Sequence, residues 1–549
     1  MKVIIVGGVA GGASAATRLR RLSEETEILI LEKGPHISFS NCSLPYYVGG
    51  VVPKAEQLLA QSPQSFKERY NIEVRVEHEV LRVDPKNHTL EVKDLHSGET
   101  YVEKYDKLLL APGAQPVYPA SWPRDEERIF TLRTVQDALR IRQEIVAKKA
   151  KRAVIVGGGA IGLEMAENLS KLGLQVTVVE MADHLVAALD YDLACEVRAY
   201  AQRLGIEILL GQGVEELRVE AGQVKVKLPQ ERLLEADIVL LSLGVRPDTA
   251  WLKDSGLELN PRGAIITDSG MATSDPDILA VGDAVEIRDL LEGQATSIAL
   301  AGLAHKEARV AADRLAGLDS RFQGAQGTAI LKFGELTVAS TGYNERQARA
   351  ANLDYDKTYI YADAKVPIYP QASKMSVKVL WERSTQRLLG AQIVGYEGVD
   401  KRIDVLATAL RFKTPITQLV QLELAYAPPF GTAKDVINYV GMVADNVTSG
   451  RLQQFFWDEV DALPRDGSCT LLDVRTLPER NYGYIEGFKH LPLDELRARA
   501  AQELPLDKPV YVHCQSGLRS YLACAILRGL GYKAWSLAGG YRLYHLTKG

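Results

Sequence analysis

The chain has 549 residues, too many for one hydrophobic core, so roughly three to five domains are expected. Its 46% hydrophobic and 25% charged composition is that of an ordinary globular protein. A net charge of −5 offers no footprint for nucleic acid, and no apolar run approaches the roughly 20 residues that span a bilayer.

The opening MKVIIVGG reads as part of the fold and not as a signal peptide, since a strand-like run follows the lysine with no small-residue cleavage site. Val3–Val6 reads as a buried strand leading into Gly7-Gly8-Val9-Ala10-Gly11-Gly12. A small-residue helix (Ala13, Ala15, Ala16) and a second strand, Glu27–Leu31, follow, ending at Glu32. A dinucleotide site needs this order. Glycines let a pyrophosphate approach a helix N-terminus, and an acid at the second strand's end binds ribose hydroxyls. Val9 stands where the G-x-G-x-x-G pattern has its middle glycine.

The arrangement recurs with all three glycines. Ala153–Val156 leads into Gly157-Gly158-Gly159-Ala160-Ile161-Gly162, a helix, and the strand Gln175–Val179 ending at Glu180. An acid here with no arginine beside it favours a free 2′-hydroxyl, hence NADH over NADPH. Two such units about 150 residues apart are a poor fit to chance, and two facing dinucleotides are what hydride transfer requires.

With these motifs the sequence resembles the pyridine nucleotide–disulfide oxidoreductase family over about residues 1–445. Leu108–Leu110 with Ala111-Pro112-Gly113, Leu241–Pro247, and Ile278–Ala284 resemble three further family stretches. The resemblance implies an α/β chain with two Rossmann-like domains. The FAD domain would span 1–145 and 266–323, the NAD domain 146–265, and an α+β dimerisation domain 324–446. Gly7, Gly8, Gly12, Glu32, Lys33, Ala111, Gly282 and Asp283 would hold FAD, Asp283 at the ribityl chain. Gly157, Gly159, Gly162 and Glu180 would hold NADH.

The five cysteines are Cys42, Cys195, Cys469, Cys514 and Cys524, scattered, odd in number and without a CxxC pair. Neither a disulfide framework nor a metal site is expected, and a reducing cytoplasm fits. The family's disulfide reductases carry C-x4-C near the flavin, whereas Ser38–Tyr47 holds Cys42 alone. Its oxidised form would then be a sulfenic acid or a mixed disulfide.

This segment resembles the coenzyme A disulfide reductase branch. Ser14, Arg18 and Arg21 share one helix face, which by resemblance meets coenzyme A phosphates or else is a solvated basic face. Ser38 and Asn41 would flank the thiol arm, and Lys434 follows the interface segment Ala425–Phe430. Tyr426 and Tyr369 resemble two active-site tyrosines able to give a proton to a leaving thiolate, with interface packing the alternative for Tyr369. The interface reading implies a homodimer. Cys195, Cys469, Cys524 and His305 read as packing residues.

Past residue 450 the pattern restarts. Arg451–Asp461 reads as a short helix, and the strand Cys469–Leu472 leads to Asp473-Val474-Arg475. A second strand, Val510–His513, leads to Cys514-Gln515-Ser516-Gly517-Leu518-Arg519-Ser520 and an apolar helix. This resembles an α/β rhodanese domain over 450–549. Backbone N–H groups, the helix dipole and Arg519 would favour the Cys514 thiolate. Four residues separate Cys514 from Arg519, a loop that fits sulfane sulfur better than phosphate.

The combination implies an NADH- and FAD-dependent reductase of coenzyme A persulfide or polysulfide acting through Cys42, with Cys514 carrying sulfane sulfur. A coenzyme A disulfide reductase, an NADH oxidase or peroxidase, and a redox-sensing module are the alternatives.

Overall fold

In the computed structural model, residues 1–125 and 127–548 are described. The strand Lys2–Val6 is apolar because it lies third of five in a parallel sheet and is buried nearly throughout. Its order is Ile278–Ala280, Lys107–Leu110, Lys2–Val6, Glu27–Glu32, Glu73–Val76. A second parallel sheet repeats the plan with Glu207–Leu209, Gln175–Val179, Arg152–Val156, Ile238–Leu241 and Ile129–Phe130. Each sheet is accompanied by a three-stranded antiparallel meander, His78–Lys104 for the first and Glu216–Ala236 for the second.

Both glycine-rich turns are held by the same device. Gly7 and Gly157 adopt φ of +96° and +112°, a region that side chains disfavour. A Cβ at Gly12 would strike the Gly7 carbonyl, and one at Gly162 would strike that of Gly157. The helices Ala10–Leu22 and Ala160–Lys171 thereby start directly against their strands.

The chain divides into two units, Met1–Ala182 with Gly205–Ala325, and Asp183–Leu204 with Gln326–Gly549. Both parallel sheets just described lie in the first. The second holds a five-stranded antiparallel sheet ordered Ala329–Phe333, Leu336–Gly342, Leu388–Gly395, Lys374–Glu382, Tyr355–Asp363. It also holds a five-stranded parallel sheet ordered Gln454–Phe455, Ala534–Leu537, Val510–His513, Thr470–Asp473, Lys489–His490. The helix Tyr191–Arg203, which falls within the stretch expected to bind NAD, groups with this second unit.

One expected element is absent. Arg451–Asp461 is not a helix. Gln454–Phe455 is an edge strand pairing in parallel with Ser536–Leu537, and a 3₁₀ turn, Val460–Ala462, follows. The apolar residues Phe455 and Val460 are only 3% and 0% exposed, each anchored separately, the first in the edge strand and the second in the 3₁₀ turn.

Candidate active sites

In the first unit a cavity of about 1100 Å³ runs along the first glycine turn and is lined by Gly7, Glu32, Ala111, Gly282, Asp283 and Cys42. The Glu32 carboxylate accepts the Gly8 N–H and the Gly34 N–H, each at 2.7 Å. Burial raises its pKa, against the pull of those two amides. Glu180 repeats the arrangement, accepting the Gly158 N–H at 2.6 Å and the Ala182 N–H at 2.7 Å. A Cβ at Gly159 would meet open space, unlike one at Gly157 or Gly162. That glycine therefore answers no internal packing need. Across the cavity, Arg133 Nη2 donates to Asp283 at 2.6 Å, and Glu307 accepts the Gly282 N–H at 2.7 Å. Burial pushes Glu307 up to about 7.

Cys42 sits in the 3₁₀ turn Asn41–Ser43, ahead of the helix Leu44–Val48. Three backbone bonds anchor its loop, from Ser38 N–H to the Gly8 carbonyl at 2.8 Å, from Ala60 N–H to the Ser38 carbonyl at 2.9 Å and from Ser40 N–H to the Leu58 carbonyl at 2.9 Å. The residue is exposed and lines the cavity. Surrounding protein still raises its thiol, first by desolvation and then through Glu164, while Arg133 pulls the other way. Glu164 is itself pushed up to about 7 by burial, and the Tyr46 hydroxyl donates to it at 3.4 Å. Among the expected coenzyme A contacts, Ser14 bonds His305 at 2.5 Å and Arg18 pairs with Asp313 at 2.8 Å. Arg21 is exposed, and Ser38 and Asn41 line the cavity. His305, read from the sequence as packing, instead lies exposed on the cavity wall.

In the second unit Cys514 follows the strand Val510–His513 and precedes the helix Leu518–Gly529. The Gly517 N–H donates to its sulfur at 3.1 Å, and the Ser520 hydroxyl lies 3.4 Å away. The loop is fastened by Tyr541 N–H to the Cys514 carbonyl and Arg542 N–H to the Gln515 carbonyl. Cys514 is 1% exposed. Arg519 does not point its charge freely at the sulfur, because both its Nη atoms donate to Glu479 at 2.7 and 2.6 Å. Also in this unit, Tyr369, Tyr426 and Lys434 are exposed. Cys195 and Cys524 are buried with thiols pushed up to about 11 and about 12 by desolvation. Cys469 donates to the Pro464 carbonyl at 3.3 Å.

Residues 1–308 match the model of the pyridine nucleotide-disulphide oxidoreductases, over half of the chain. The chain belongs to that family. Residues 328–436 match the family's dimerisation domain, and 456–547 match the rhodanese-like domain. A coenzyme A disulfide reductase of Staphylococcus aureus is 34% identical over 450 residues, covering 81% of this chain and 99% of the relative. The reduced CoADR-RHD of Bacillus anthracis is 41% identical, with a TM-score of 0.96 over 100% of this chain and 98% of that one. A NAD-dependent persulfide reductase from A. fulgidus is 34% identical, with a TM-score of 0.92 over 99% of this chain and 100% of that one.

As a member of this family the chain is an oxidoreductase that uses FAD and a pyridine nucleotide, and it carries a rhodanese domain. The residues present fit an FAD. The glycine cradle leaves no room for a Cβ at Gly7 or Gly12, the Glu32 carboxylate stands at the end of the second strand, and the cavity is large enough for a dinucleotide. Sequence reasoning missed Glu164, Arg133 and Glu479. The first lies in the middle of a helix and the second in a loop, and neither sits in a pattern of its own. Glu479, three residues after Thr476, forms a capping box and reads locally as a helix start. Among the described residues no helix is long and apolar enough to cross a membrane.

Proposed function

We propose that the chain reduces the sulfur–sulfur bond of a coenzyme A persulfide or related polysulfide with NADH, through Cys42, while Cys514 carries sulfane sulfur. The observation that carries this reading is a lone exposed cysteine opening onto the flavin-sized cavity, in a chain whose five cysteines are all unpaired. The relatives named a coenzyme A disulfide reductase and a NAD-dependent persulfide reductase support it.

The Cys42 thiolate attacks the inner sulfur of the persulfide, the S–S bond breaks, and hydrosulfide leaves. A Cys42–coenzyme A mixed disulfide remains. With FAD held by Gly7, Gly12, Glu32 and Asp283 and carrying two electrons from NADH, this disulfide would be split into Cys42 thiolate and coenzyme A thiol. Arg133, which opposes the rise of the Cys42 thiol, favours the thiolate in both steps. Ser14, Arg18 and Arg21 form the proposed phosphate face, with Arg18 exchanging Asp313 for the ligand. Glu32 and Lys33 hold the FAD ribose and its surroundings, and Glu180 the NADH ribose. Ser38 and Asn41 flank the thiol arm, and Lys434, which follows the interface segment, is a proposed coenzyme A contact for the partner subunit's site.

Exposed Ile368, Tyr369, Tyr426 and Phe430 support a homodimer in which Tyr369 and Tyr426 serve the partner's site and protonate the leaving thiolate. Five unpaired cysteines support a cytoplasmic setting.

Cys42→Ser tests the reading. It should retain FAD and remain reducible by NADH, while persulfide-dependent turnover falls by about three orders of magnitude or more. Turnover within about tenfold of wild type would reject Cys42 as the nucleophile.

A further inference from the structure

The mouth of the Cys514 loop holds its cationic charge in internal pairs. Arg475 is fully buried and its guanidinium donates to Asp473 at 2.9 and 3.0 Å. Arg480 pairs with the same carboxylate at 3.3 Å and lies 4.9 Å over the Tyr484 ring. Arg519, close enough to Cys514 to feel its charge, is clamped by Glu479 through two bonds of 2.6 and 2.7 Å. The Arg519–Glu479 pair is about one-third exposed, so it stands at the surface and not in the core. Thr476 N–H and hydroxyl donate to Glu479 at 3.0 and 2.9 Å, fixing its direction. Arg519 and Thr476 hold Glu479 at about 2, so it stays anionic throughout the working pH range. Leu518, which opens the helix after the loop, is 68% exposed, and Tyr484 is 60% exposed.

We infer that Glu479 is a specificity-determining residue of the Cys514 site, excluding small inorganic dianionic sulfur donors and admitting organic persulfides. The inference rests on the reading of Cys514 as a sulfur carrier. A donor such as thiosulfate brings two charges to the mouth and needs a guanidinium free to receive them. Here it meets a fixed carboxylate, and Arg519 is already satisfied bidentately. At its reacting end an organic persulfide brings at most one charge, on the sulfur itself, and the carbon body beside it can lie against Leu518 and Tyr484. In both cases the Cys514 thiolate attacks the sulfane sulfur. With a persulfide R–S–SH the inner S–S bond breaks, giving Cys514–S–SH and the thiolate R–S⁻. With thiosulfate the products would be Cys514–S–S⁻ and sulfite.

The test uses full-length holoenzyme on a Cys42→Ser background, with thiosulfate and pantetheine persulfide as donors and cyanide as acceptor. Thiocyanate formation is read against a Cys514→Ser blank, and intact-protein mass reports sulfur on Cys514. Wild type at position 479 should load Cys514 from the persulfide and scarcely from thiosulfate. Glu479→Gln keeps an oxygen to accept from Thr476, and should raise the thiosulfate-to-persulfide selectivity by about tenfold or more, through the thiosulfate KM. Adding Arg519→Ala should remove that gain, and Arg519→Ala alone should depress thiosulfate use further. Selectivity unchanged in Glu479→Gln, or a gain that survives loss of Arg519, would overturn the gate. Loading of Cys514 by neither donor would overturn the carrier reading and the gate with it.

Discussion

Glu164 and Arg133 act on the Cys42 thiol in opposite directions, the carboxylate raising it and the guanidinium lowering it. Because burial pushes Glu164 up to about 7, its charge is coupled to the ionisation of the Cys42 thiol. Glu164→Gln removes the negative charge, so the pH profile of Cys42 alkylation by iodoacetamide should move to lower pH. Arg133→Gln should move it to higher pH. A profile indifferent to both would mean that neither group reaches the sulfur. At this scale the sequence was most legible where a residue sits inside a pattern. Cys42 and Cys514 stand in loops whose order along the chain declares them. Glu164 and Arg133 matter through proximity created by folding, and no local spacing marks them. Arg519 shows the complementary failure, because its position beside the loop was readable while its partner, 40 residues earlier, was not.

The elements of the second unit meet at a buried ionic cluster. Lys378, 0% exposed on the strand Lys374–Glu382, donates to Asp192 at 2.7 Å and to Glu345 at 2.6 Å, and lies 2.9 Å from Asp190. Lys357 adds a bond to Glu345 at 2.9 Å, and the Tyr359 hydroxyl donates to Asp192 at 2.5 Å. The Trp457 indole reaches the same Asp192 at 3.4 Å. The helix Tyr191–Arg203, the antiparallel sheet and the segment entering the rhodanese domain are thus tied to one charge set. Removing the central cation would strand buried carboxylates, so Lys378→Met should cost about 3–5 kcal/mol in urea unfolding of this unit. A loss under about 1 kcal/mol would show the cluster to be dispensable. Burial alone would raise Glu345, yet Lys378 and Lys357 hold it at about 2. Its folded value lies below its ordinary 4.5, so this contribution is complete above about 4.5 and lost as pH falls towards 2. The thermal unfolding midpoint of wild type should fall across that window, and Lys378→Met should flatten the dependence.

Strands were the elements best read from sequence, because central parallel strands are apolar on both faces and end at glycine turns. The cluster was invisible, its central bond joining residues 186 positions apart. Arg451–Asp461 failed for a related reason, since Phe455 is fixed by a strand some 80 residues later.

For the whole molecule, the repeated strand–turn–helix–strand–acid unit predicted two dinucleotide folds, and the restart near residue 450 predicted an added sulfur-handling domain. The family matches over residues 1–308, 328–436 and 456–547 agree with that order. What the sequence does not encode in any local pattern is which sulfur compound the joined chemistry favours. A persulfide gives both domains a part, whereas coenzyme A disulfide leaves Cys514 without one. The deciding measurement is anaerobic NADH oxidation by the holoenzyme with coenzyme A persulfide and with coenzyme A disulfide, sulfide being followed in parallel. The account predicts a kcat/KM at least about tenfold higher for the persulfide, with one sulfide released per NADH oxidised. A preference for the disulfide, with no sulfide formed, would contradict it.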